Sequence, residues 1–287
     1  MLREYIKSGD INNSLKELCS ILHHNKQIDK LEEDLIFIID YIGRHMSATH
    51  ASKYYDIVDK TYDFITSESI LIDETLVLCC KMCCLCRELY DTPSIHVKTL
   101  RKLIITDLQH PLKHEYVRSL DTFLPVPTSS SFPVACNIAM CFINYQNTAE
   151  KLSIDSKELI ALTNRIRLCI EYITRKNVYI ENSQSKNGDC VWFLWTLIIH
   201  ICQSPIIQKL YNTFMFKWKA THKNKRIGIL WSSVFFIKYN KNEWTEKDKL
   251  TFQQIKNMSK QLMDESKSND DTNILHDFIP TYKFPVS

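Results

Sequence analysis

The densest set of chemically capable side chains in this sequence is Cys79, Cys80, Cys83, Cys84 and Cys86, five of its eleven cysteines in one short stretch. Cys80-x-x-Cys83 has the spacing of half a zinc site. A structural zinc takes four ligands, and no matching Cys or His pair outside the stretch supplies the rest. On a helix over 70–90, Cys79, Cys83 and Cys86 share a face with Leu76 and Tyr90, as small buried apolar residues do. Core packing is therefore preferred over metal binding and over redox or disulfide chemistry. Neither a metal nor a cofactor enters the reading.

The histidines carry less. His110 and His114 have the i, i+4 spacing of a ligand pair, but Pro111 opposes a helix there. His23 and His24 close a predicted helix, where imidazoles meet the negative end of the helix dipole. His200 lies in an apolar helix with no neighbouring carboxylate and reads as a hydrogen-bonded core histidine. Asp189 reads as the N-cap of that helix rather than as a catalyst. No Ser, His and Asp arrangement can be assembled, so a non-enzyme is expected.

The clearest binding signal is the basic, aromatic segment 209–226. Lys217, Lys219, His222, Lys223, Lys225 and Arg226 are interleaved with Phe214, Phe216 and Trp218. Lysines neutralise phosphates and aromatic faces stack on bases, so Lys217, Trp218, Lys219, Lys223, Lys225 and Arg226 form the candidate nucleic-acid site. In the plainer reading the aromatics face the core, the lysines cover the outside, and the cations offset a helix C-terminus.

Those side chains need elements to hold them. Only four glycines are present, at 9, 43, 188 and 228, which leaves no Gly-rich phosphate loop or dinucleotide-binding turn and few hairpins. Long stretches without Gly or Pro, broken by Asp, Asn, Ser and Pro, predict helices joined by short turns. Gly9 and Asp10 end a short first helix and cap the next, which carries Ile11, Leu15, Leu18, Ile21 and Leu22. A third starts at Asp29 with Gly43 near its end. Ser47 caps a fourth through Tyr54, Val58 and Ile65, and a fifth runs from Ile70 to about Tyr90. Further helices are expected over 133–147 and 155–176.

The segment Asp189–Lys238 is expected to anchor the C-terminal half as two buried antiparallel helices, Cys190–Ile207 and Ile227–Ile237, around the basic corner. The first run approaches the length of a membrane span, but His200, Gln203, Ser204 and Pro205 interrupt it, so no stable span is expected. The fold class is all-α, either a bundle or a short solenoid of antiparallel helix pairs. Four regions follow: 1–124 helical, 125–133 (PVPTSSSFP) a loop or linker, 134–263 helical, and 264–287 a partly flexible tail.

A formal charge of +3 is too small to announce nucleic acid by itself. The crowded cysteines and the absence of a leader pattern in MLREYIKSGD point to the cytoplasm or another reducing compartment. The stretches GDCVWFLWTLI and LYNTFMFKWKATHKNKRIGILWSSVFF resemble uncharacterised helical proteins of nucleocytoplasmic large DNA viruses, over about 110 residues after Ala135. The resemblance implies a virus-encoded protein of the cytoplasm or virion factory and carries over no catalytic residue. The expected function is a non-enzymatic scaffold that binds partner proteins, with accessory nucleic-acid binding through 209–226 as the alternative. The sequence does not set the oligomeric state.

Overall fold

A computed structural model describes residues 1–24, 28–46, 48–67, 69–90, 191, 195, 198–199, 204–222, 225–236 and 244–265. They form an all-α helical bundle protein with no strand among the described residues. The helices are α1 (Leu2–Lys7), α2 (Ile11–His24), α3 (Ile28–His45), α4 (Ala51–Thr66), α5 (Ile72–Tyr90), α6 (Pro205–Met215), α7 (Ile227–Ser232) and α8 (Glu246–Glu265). Short 3-10 turns precede α4 and follow α7.

The chain divides into two compact units. One gathers Met1–Ile42, Lys53–Thr92 and Glu243–Ser287; the other holds Gly43–Ser52 and Pro93–Asn242.

In the first unit α5 is the central helix. It is apolar nearly all round, burying Leu76, Leu78, Cys79, Cys80, Met82, Cys83, Leu85 and Cys86, and a helix of that kind is stable only when surrounded. Helices α1, α2 and α8 pack against it. Because α8 is far from α5 in sequence, this unit is a bundle and not a stack of sequence-adjacent pairs. The cysteines on α5 are small, which lets neighbouring helices approach closely.

Gly9 and Asp10 make the expected turn. Gly9 has φ +72°, and a Cβ there would lie 3.1 Å from Arg87 Cβ, so both conformation and space require glycine. Asp10 Oδ1 accepts the amide of Asn13 at 3.1 Å and caps α2. Arg87 donates to the Gly9 carbonyl at 2.6 Å, tying this turn to α5. Arg3 pairs with Asp34 and lies 4.6 Å over the Phe37 ring, tying α1 to α3. Gly43 lies near the end of α3, as expected, in the last turn before His45.

In the second unit, Val191, Trp195 and Ile198 are helical and buried. Pro205 occupies the first turn of α6, where its missing N–H is not needed, and Ser204 is the N-cap. The buried run expected over 227–237 is shorter as an α-helix. After Ser232 it tightens into a 3-10 turn over Ser233–Phe236. Ser232 and Ser233 donate to the carbonyls of Ile229 and Leu230, and such back-bonding favours a tightened turn. The described part of Cys190–Ile207 contains no helix long and apolar enough to cross a membrane, nor do the other described residues. The segment 125–133, the helices expected over 133–147 and 155–176, and the tail after Glu265 lie outside the described residues, as do Asp189, His110, His114 and His200.

Candidate functional site

The basic corner begins with α6, whose buried residues Ile206, Ile207, Leu210, Thr213 and Phe214 recur at helical spacing and fix which side faces inward. Trp195 meets Phe214 at 5.3 Å and Tyr211 edge-on at 5.5 Å. Phe214 in turn stacks on Trp218 at 4.9 Å with 29° between planes. Trp218 is thus anchored on one ring face and half-buried.

The chain leaves α6 through Phe216, whose ψ of 123° breaks the helix. Lys217 follows with φ 44°, a left-handed conformation that usually falls to glycine after a helix. A 3-10 turn over Ala220–His222 follows, and the His222 carbonyl accepts the amide of Arg226 at 3.0 Å.

Arg226 closes the corner from within. It is 5% exposed, and its guanidinium donates to the carbonyls of Phe214 at 2.7 Å and Phe216 at 2.6 Å. Those carbonyls sit at the C-terminal end of α6, where the helix leaves acceptors without partners and the dipole is negative. The plainer reading of the cations therefore describes Arg226, whose guanidinium is committed to the fold.

Of the six candidate residues, Lys217, Lys219 and Lys225 are exposed and Trp218 is partly so. The structure brings the first three of the candidates, Lys217, Trp218 and Lys219, together directly beyond α6. Lys223 lies outside the described residues. Lys217 extends its ammonium 5.1 Å over the Phe216 ring. In chemical terms this is two exposed cations flanking one half-covered indole in the chain, with a third exposed cation at Lys225.

Two features escaped sequence reasoning. The first is a cavity of about 130 Å³ where α4 ends and α5 begins, lined by the apolar Phe64, Leu71 and Leu78 and by the charged Lys60, Asp63 and Glu74. Leu71 is 62% exposed at its edge. The connecting turn is fixed by Ser67 Oγ donating to the Ser69 carbonyl at 2.8 Å. The only sequence signal was the apolar run Ile70–Ile72 immediately after a polar turn.

The second is a polar knot that fastens α8 to the first unit. Asp56 accepts from Trp244 Nε1 at 2.8 Å and pairs with Lys81 at 2.7 Å. Lys53 pairs with Glu88 and lies 5.2 Å over Trp244. Trp244 meets Phe252 edge-on at 5.1 Å, and Lys81 sits 5.5 Å over Phe252.

The cysteines of α5 divide between two sides of the helix. Cys83 donates to Ser14 Oγ at 3.3 Å toward α2. Cys79 is raised well above the ordinary thiol value by its hydrogen bond with Cys83 and by burial, and Cys86 is raised by burial. Cys80 and Cys84 form a separate i, i+4 pair influenced by Asp248 of α8. The described cysteines are free thiols, and no group of three or more His, Cys, Asp or Glu among the described residues is arranged to hold a metal ion. Set against known proteins, this chain matches no protein family, no curated protein and no solved structure.

Proposed function

We propose that this chain is a non-enzymatic helical protein that holds a partner protein on its helix surfaces, with the cavity between α4 and α5 as the anchor point. The observation that carries the reading is that cavity and its exposed edge. Its volume of about 130 Å³ is close to the ~150 Å³ that accommodates a benzene ring, so it suits one aromatic or branched side chain. Leu71 and Ile72 offer apolar surface beside it, and charges of both signs surround it. An apolar centre inside a polar rim is the usual anatomy of a protein-binding hot spot. The free thiols support a reducing compartment, and the resemblance of the C-terminal half to helical proteins of large DNA viruses makes a virus-encoded origin part of the proposal.

The test compares tagged wild-type protein with Leu71→Asp in affinity capture from native cells, with nuclease present. The variant is expected to keep its helical circular dichroism and lose its protein partners. An unchanged set of partners on a folded L71D protein sinks the reading.

A second reading, nucleic-acid binding, rests on the exposure of Lys217, Lys219 and Lys225 and on the anchored, half-buried Trp218. Reversing these three to Glu is expected to abolish binding to a single-stranded oligonucleotide. Each phosphate left without its lysine lowers the salt slope by roughly 0.7. Arg226 is left intact in this test, because its replacement disturbs the fold as well as the charge. Wild-type binding that does not weaken with salt rules the reading out.

A further inference from the structure

The cavity at the start of α5 combines an apolar wall with charged groups. Phe64, Leu71 and Leu78 supply the apolar part. Two hydroxyls of the lining are committed to backbone: Thr75 donates to the Leu71 carbonyl at 2.8 Å, and Ser67 to the Ser69 carbonyl at 2.8 Å. The ionic groups of the lining are Lys60, Asp63 and Glu74, all three partly open to solvent.

The balance of these charges favours a cation. Lys60 stands 3.9 Å from Asp63 one turn along α4, the outer limit of an ion pair. Glu74 is paired with another helix: Lys256 of α8 reaches it at 2.6 Å and also lies 3.6 Å from Asp73. Without Lys256 this group would hold three carboxylates, Asp63, Asp73 and Glu74, against the single cation Lys60. The Lys256 side chain is 45% exposed, while α8 itself is held by the buried Phe252 and Ile255 and by the knot at Trp244. A competing cation can therefore take over Glu74 by a rotation of one flexible side chain, with the helix left in place.

We propose that the cavity takes an aromatic side chain of the partner protein with a lysine or arginine beside it in sequence, and that Lys256 is the internal cation this neighbour displaces from Glu74. The inference rests on the reading of the cavity as the partner's anchor point. A phenyl ring suits an apolar space of about 130 Å³, and the adjoining residue then lies among the carboxylates of Asp63, Asp73 and Glu74. Electrostatic complementarity of this kind selects among partners more than it adds affinity. Lys256 is thus a built-in competitor that a neutral or acidic neighbour cannot replace.

The experiment titrates the full-length, isotope-labelled protein at low salt with two blocked tripeptides, acetyl-Lys-Phe-Lys-amide and acetyl-Gln-Phe-Gln-amide, following the amides of the cavity lining by NMR. The lysine peptide is expected to bind about threefold tighter or more, and the gap to shrink with added salt. Glu74→Gln is expected to close most of that gap, and Lys256→Gln to widen it about twofold; both change exposed groups, and circular dichroism checks their fold. Equal binding of the two peptides overturns the cation preference and leaves the cavity as an anchor. Cavity amides that neither peptide moves overturn the inference and the anchor reading together. A lysine preference that neither folded variant alters overturns the roles of Glu74 and Lys256.

Discussion

Arg226 carries a full charge into a site that is almost closed to water, and it does so to satisfy two carbonyls that α6 leaves open. A charge-assisted hydrogen bond of this kind contributes about 1.5–3 kcal/mol, and removing its donor strands the acceptors as well. Arg226→Met is accordingly expected to cost about 3 kcal/mol, read by urea unfolding followed through tryptophan fluorescence. Arg226→Lys is expected to recover only part, because one ammonium cannot reproduce the guanidinium fork. The sequence showed a cation at position 226 but not its partner, since a buried cap and a surface phosphate contact have the same composition and nearly the same spacing. The stacking of Trp218 on Phe214 was not legible either, because the chain leaves the helix at Phe216 and turns through a left-handed Lys217 before the rings meet. The thiols of α5 also act residue by residue. Cys79, Cys80 and Cys86 hold their protons above the ordinary value of 9.0, so the unfolded chain releases protons first. Their contribution is complete below that value and falls as pH rises beyond it. Cys84 has the opposite sign and adds stability as pH climbs toward 9.0. The thermal midpoint is thus expected to drop between about pH 9 and 10.5, with Cys86→Ala flattening the drop.

The helices themselves were readable because their apolar residues repeat at helical spacing. α5 was predicted to within two residues of its start, and its cysteines were assigned to the core on pattern alone. What pattern does not disclose is which helix packs on which. α8 has few buried residues among its twenty, Phe252, Ile255 and Leu262, and it reads as a solvated surface helix. Its attachment depends instead on the knot around Asp56, where partners are separated by 188 positions. Trp244→Phe keeps an aromatic ring for Phe252 but removes the hydrogen bond to Asp56, and about 1–2 kcal/mol is expected to be lost in thermal unfolding. Asp56→Ala is expected to cost more, about 2–4 kcal/mol, because it also leaves the mostly covered Lys81 ammonium without its carboxylate. Lys256 pairs with Glu74 at 2.6 Å at the surface, and the hydrogen bond to that carboxylate raises its proton affinity. Lys256→Gln is expected to leave the melting temperature unchanged within error at physiological salt, where exposed pairs contribute little.

For the chain as a whole, an all-α fold followed from the scarcity of glycine and the long helical periods. The boundary residues did not, since composition marks where a chain can bend but not where its ends return. The sequence grouped 246–263 with the segments just before it, whereas those residues as α8 complete the unit built on α1, α2 and α5. This return has a consequence during synthesis. The first five helices leave the ribosome well before the helix that covers the Cys80 and Cys84 side of α5. About 150 residues must be added between Tyr90 and Glu246, which at about 5–20 residues per second takes on the order of ten to thirty seconds. During that interval the nascent chain presents an unfinished apolar surface with two uncovered thiols. Only the late arrival of Trp244 and α8 closes it, so a ribosome stalled in between would display a surface that chaperones bind.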